Sequence, residues 1–232
     1  MSADSPGQIV ILNGVQRSGK TSIAQVMQDK FPGVWMNIGA DAHIRCTPPA
    51  FRPGVGLRAQ RPEWASTAAG RVSLDVLEEY VPVLYAALCE SVAAHARLGL
   101  NVVVDVGHHD AYSKPLGILP DCARRLAGLP VLFVGVRCPV DVLWERREAT
   151  WGQVRGEVDA GVTGSVHLGV DAIHAHGGYD LEVDTSALSP EACAELIRKR
   201  LAEGPPGSRF AEIAGRESED RNPTFDPRVA VK

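Results

Sequence analysis

One stretch restricts the fold more than any other. It is Gly14-Val15-Gln16-Arg17-Ser18-Gly19-Lys20-Thr21, directly after the apolar run Ile9-Val10-Ile11-Leu12. The run is rich in β-branched residues and ends in a glycine turn, which reads as a buried strand. From Ser18 onward Ile23, Val26, Met27 and Phe31 fall on one helical face until Pro32-Gly33 ends it. Strand, turn and helix in that order, with Gly-x-x-x-x-Gly-Lys-Ser/Thr across the turn, make a phosphate-binding loop. Glycine lets the backbone turn tightly, so that successive N–H groups point inward at phosphate oxygens. The helix N-terminus adds a partial positive charge. Gly14, Val15, Gln16, Arg17, Ser18, Gly19, Lys20, Thr21 and Ser22 are therefore the expected nucleotide-binding residues. Lys20 is expected to reach the β- and γ-phosphates of ATP, and the Thr21 hydroxyl to ligate Mg²⁺.

Short apolar runs alternate with helical periods along the rest of the chain. Trp35 to Ile38, Asn101 to Asp105, Val131 to Val136 and Asp180 to Asp184 read as four further strands. Leu74, Leu77, Val81, Leu84, Leu88, Val92 and Ala96 mark a long helix that Pro82 bends or divides. A charged helix follows Pro139, and another starts at Ser189-Pro190-Glu191. Such alternation means an α/β protein, a three-layer sandwich around a parallel five-stranded sheet with right-handed crossovers. A folded unit over residues 8–203 is expected, with a proline- and glycine-rich insert at about 44–72 and a lid at about 146–160. Residues 204–232 are expected to be a tail without a core.

Composition narrows the partners. A net charge of -4 argues against nucleic-acid binding as the main activity. No apolar run reaches the roughly 18 residues of a membrane span, and the start has no basic-then-apolar pattern, so a cytoplasmic protein is expected. The five cysteines form no Cys-x-x-Cys pair and read as small buried residues. Self-association into a homo-oligomer is left open.

Two carboxylates stand where strands end. Asp105 closes the Val102–Val104 strand at the edge where the phosphate loop opens, a place for a Mg²⁺ ligand. Asp41 ends the second strand among Gly39, Ala40 and Ala42, where it could take the proton of an acceptor hydroxyl. His108 and His109 follow Asp105 and are expected to line the substrate pocket rather than hold a metal. Cations of a lid are expected from Arg146, Arg147 or Arg155.

With these residues in hand the sequence resembles the chloramphenicol phosphotransferase-like family of P-loop kinases, from about Gln8 to Leu201. The resemblance is carried by Ile11-Leu12-Asn13-Gly14 leading into Ser18-Gly19-Lys20-Thr21, by Trp35 with Gly39-Ala40-Asp41, and by Arg147-Glu148. Val134-Gly135-Val136-Arg137-Cys138 and Tyr179-Asp180-Leu181-Glu182-Val183-Asp184-Thr185 carry it more specifically, as does the spacing from His174 to Tyr179. It implies a P-loop NTPase fold like that of nucleoside monophosphate kinases and ATP-dependent transfer of phosphate to a hydroxyl of an antibiotic-like small molecule. It further implies Asp41 as the general base, with Lys20 and Arg147 completing the catalytic set. Trp151 stands where the family carries a further lid arginine, and the segment 47–70 aligns only loosely.

Two other readings are open at this level. A metabolic kinase of the shikimate or gluconate kind would use Arg45, Arg52, Arg58 and Arg61 for an anionic acceptor. A nucleotide-gated protein that sequesters its ligand would do no chemistry. No Asn-Lys-x-Asp string points to guanine recognition.

Overall fold

The computed structural model describes residues 5–48, 74–110, 112, 114–155, 166 and 169–215. Five strands form one sheet: β1 (Ile9–Asn13), β2 (Trp35–Asn37), β3 (Asn101–Val106), β4 (Val131–Arg137) and β5 (Leu181–Asp184). Every pairing is parallel, in the order β2-β3-β1-β4-β5. The helices are α1 (Lys20–Lys30), α2 (Ala40–Cys46), α3 (Leu74–Arg97), α4 (Ile118–Arg125), α5 (Val140–Trp151), α6 (Pro190–Glu203) and α7 (Arg209–Gly215).

The two-residue period of the strands separates the cores. Ile9, Ile11, Val102, Val104, Val131 and Phe133 face one side, against Leu88 and Val92 of α3, Cys122 of α4 and Phe210 of α7. Val10, Leu12, Val103, Leu132 and Val134 face the other, against Ile23 and Met27 of α1 and Ile197 of α6. Both faces of β1 are covered, which is why it reads as an unbroken apolar run. The result is the three-layer α/β sandwich expected from the alternation.

The structure corrects or sharpens several expectations. Residues 204–215 are not a loose tail: α7 packs on the sheet and buries Phe210 and Ile213 to 3% exposure each. Asp180 seats it, its carboxylate accepting from the backbone N–H groups of Ser208 (2.8 Å), Arg209 (3.1 Å) and Phe133 (2.9 Å). Residues 216–232 lie outside the described residues. Pro82 sits inside one continuous α3. Cys89, Cys122, Cys138 and Cys193 are buried as read, whereas Cys46 is exposed at the end of α2. The insert from 49 to 73 and the lid from 156 to 165 lie outside the described residues.

Candidate active site

Parallel strands deliver their C-terminal ends to one edge, and the functional side chains collect there. Asn13 at the end of β1 is in register with Val106 and Gly135. Gly14 must be glycine because a Cβ there would lie 2.6 Å from the Val136 carbonyl. The loop then climbs through Arg17 (φ 68) and Gly19 (φ 92), both left-handed, into the first turn of α1. Arg17 is the one non-glycine residue in that region among the described residues, a conformation that costs an L-residue about 1–3 kcal/mol and needs surrounding support.

That support comes from Thr185 and Arg146. The Thr185 hydroxyl donates to the Ser18 carbonyl (2.7 Å). Arg146 donates to the Arg17 carbonyl (3.1 Å), the Thr185 hydroxyl (3.0 Å) and the Thr185 carbonyl (2.6 Å). Asn13 supports the loop from below. Its amide donates to the Ile173 carbonyl (3.1 Å) and the Tyr179 hydroxyl (3.0 Å), and its carbonyl accepts from the His108 backbone N–H (2.7 Å). Tyr179 lies flat against Gly135, where a Cβ would stand 2.4 Å from the ring. Asn13, Thr185 and Arg146 carry the loop's shape, a role that spacing alone did not indicate. The first two nonetheless fall inside the strings that mark the family resemblance.

A cavity of about 630 Å³ opens above the loop, lined by Lys20, Thr21, Asp41, Asp105, Arg146 and Trp151 among others. Gly14, Gln16, Arg17, Gly19 and Ser22 also line it. Val15 and Ser18 are buried; the Val15 carbonyl accepts from Lys20 and the Ser18 carbonyl from Thr185. Lys20 curls back, its ammonium 2.7 Å from the Val15 carbonyl and 3.6 Å from Asp105. Thr21 donates its hydroxyl to Asp105 at 2.6 Å. Hydroxyl and carboxylate oxygens side by side are the hard donors that Mg²⁺ prefers. Gly39 lets β2 come close: a Cβ there would be 2.8 Å from the Asp105 carbonyl. Asp41, two residues on in α2, is thereby exposed at the same cavity.

The three candidate lid arginines separate by what they touch. Arg155 pairs with Asp141. Arg146 holds the loop, as above. Arg147 does not line the cavity. It is 8% exposed, packed against the rings of Trp144 (5.5 Å) and Trp151 (4.9 Å). Burial, and then the nearby Arg17 cation, lower its pKa. Arg45 is exposed on α2, while Arg52, Arg58 and Arg61 lie outside the described residues.

His108 and His109 are buried at 3% and 8% exposure and are not among the residues lining this cavity; most of the insert expected at the acceptor pocket lies outside the described residues. Burial pushes His108 down to about 3, with His176 and His109 adding to the effect, and His109 to about 4. Both are neutral rings of the core. No group of three or more His, Cys, Asp or Glu side chains that could hold a metal ion occurs among the described residues.

A nucleotide-shaped phosphate loop on a 2-3-1-4-5 parallel sheet, with carboxylates at neighbouring strand ends, defines a kinase-type phosphotransferase of the P-loop class. Residues 7–202 match the chloramphenicol phosphotransferase-like protein family, and the chain belongs to it. A candidate O-phosphotransferase of Mycobacterium tuberculosis, found in strains CDC 1551 and H37Rv, is 32% identical over 189 residues, covering 78% of this chain and 76% of the relative. Two solved structures share the fold. The Deinococcus radiodurans tunicamycin resistance protein has a TM-score of 0.55 at 17% identity, over 84% of this chain and 95% of that one. A gluconokinase from Sinorhizobium meliloti has 0.52 at 21% identity, over 90% and 94%.

Proposed function

We propose that the protein transfers the γ-phosphate of ATP to a hydroxyl group of an antibiotic-like small molecule, with Asp41 as general base. The observation that carries this reading is the exposed Asp41 carboxylate on the same cavity wall as Lys20, Thr21 and Asp105. Lys20 and the loop N–H groups hold the phosphate chain, and Lys20 exchanges its Val15 carbonyl partner for phosphate oxygens. Thr21 and Asp105 would hold Mg²⁺, which neutralises charge on the phosphates when bound. Asp41 accepts the acceptor's hydroxyl proton while that oxygen bonds to the γ-phosphorus. The bond from phosphorus to the β–γ bridging oxygen breaks, and ADP carries the electron pair away. Arg147 is the further cation assigned to the lid.

Family membership supports the reaction type, and the acceptor is the inferred part. A neutral alcohol is favoured over an anionic metabolite because Asp41 puts negative charge at the acceptor end, where an anion would be repelled. The test is a panel of hydroxylated antibiotics and of sugar and shikimate-type acids, incubated with Mg-ATP and scored by mass spectrometry for a phosphate ester. An ester on an antibiotic and none on the acids is expected. An ester only on gluconate- or shikimate-like acids would replace this reading with the metabolic one.

A further inference from the structure

The site contains a cation arrangement that the phosphate loop does not require. The Arg17 guanidinium carbon lies 3.8 Å from the centre of the Trp151 ring, and that of Arg147 lies 4.9 Å from it. Neither arginine has a carboxylate partner among the described residues. The Nε atoms of both are buried without a hydrogen-bond partner. Burial and the proximity of the Arg17 charge lower the Arg147 pKa. Arg17 lines the cavity above the phosphate loop, and its unneutralised guanidinium there leaves the place of an anion open. Trp151 lines that cavity while remaining 44% exposed.

An aromatic ring can hold a cation in place without cancelling it. The ring's quadrupole attracts the positive charge, while the in-plane N–H donors of a stacked guanidinium stay free for oxygen. A carboxylate in the same position would compete with the phosphates for those donors. We propose that Trp151 is a positioning residue for the polyphosphate chain: its indole holds Arg17 of the loop at the cavity wall and presents it to phosphate oxygens, with Arg147 of α5 buried against the same ring. Trp151 thus does by stacking what a further lid arginine would do by charge. The inference rests on the nucleotide reading above and adds a residue to it.

Calorimetric titration with two probes, Mg-ATP and inorganic tripolyphosphate, tests this. Trp151→Ala is expected to weaken both by a similar factor, about tenfold. Trp151→Phe is expected to keep most of the affinity, and Trp151→Leu, which keeps apolar volume without a π face, to behave like Trp151→Ala. On an Arg17→Met background Trp151→Ala is expected to add little, because the two act through one contact. If Trp151→Ala weakens Mg-ATP but leaves tripolyphosphate unchanged, the indole serves the base and the proposal is overturned. Additive losses with Arg17→Met, or full affinity in Trp151→Leu, overturn it as well. Wild-type protein that binds neither probe overturns the nucleotide reading itself, a result distinct from all of these.

Discussion

At the scale of single residues, the strings that mark the family have physical reasons. Gly135 is glycine because Tyr179 lies on it, and Tyr179 is placed there to receive Asn13 beneath the phosphate loop. Thr185 ends the last string because its hydroxyl holds the Ser18 carbonyl. The buried and half-buried histidines have a consequence for pH. His108 at about 3, and His109 and His174 at about 4, all lie below the ordinary value of 6.5. The unfolded chain therefore binds more protons than the folded one between those limits, and stability falls as pH drops from about 6.5 towards 4. Urea midpoints measured across that range are expected to decline, and His108→Asn to flatten the decline. A wild-type midpoint that is flat from 6.5 to 4 contradicts the burial of neutral rings. Motif spacing made Lys20, Thr21 and Asp105 legible beforehand. It could not separate Arg146 from Arg147, because adjacent arginines differ only in which way a helix turns them.

At the scale of elements, legibility followed burial. β1, β3 and β4 are buried on both faces, so their sequences are continuous apolar runs that no helix of similar length would need. α4 and α7 carry no such signal. α4 has only eight residues with Pro120 in its first turn, and α7 shows just Phe210 and Ile213 as an apolar pair. So short a helix carries too few periods to register, and its stability comes from docking. Phe210 meets Phe133 edge-on at 4.9 Å, and Asp180 holds the segment's backbone. Phe210→Ala is expected to cost about 3–5 kcal/mol, and Asp180→Ala about 2–3 kcal/mol, both measured by urea unfolding. Either variant unfolding like wild type would mean that α7 does not pack on the sheet.

At the scale of the whole molecule, the net charge of -4 conceals a local reversal. Lys20, Arg17 and Arg146 line one cavity together with Asp41 and Asp105, and Arg147 packs on Trp151 of its wall. Among the described residues no helix is long and apolar enough to cross a membrane. The arrangement of charges at the cavity fits a phosphate donor bound by cations and an uncharged acceptor activated by a carboxylate. The most direct measurement is turnover and Mg-ATP affinity of Asp41→Asn, with the acceptor found by the panel. Loss of a general base is expected to lower turnover by about 10²–10⁴-fold, with Mg-ATP affinity within about twofold of wild type. Asp41→Asn turning over at the wild-type rate would contradict the assignment of Asp41 as the base.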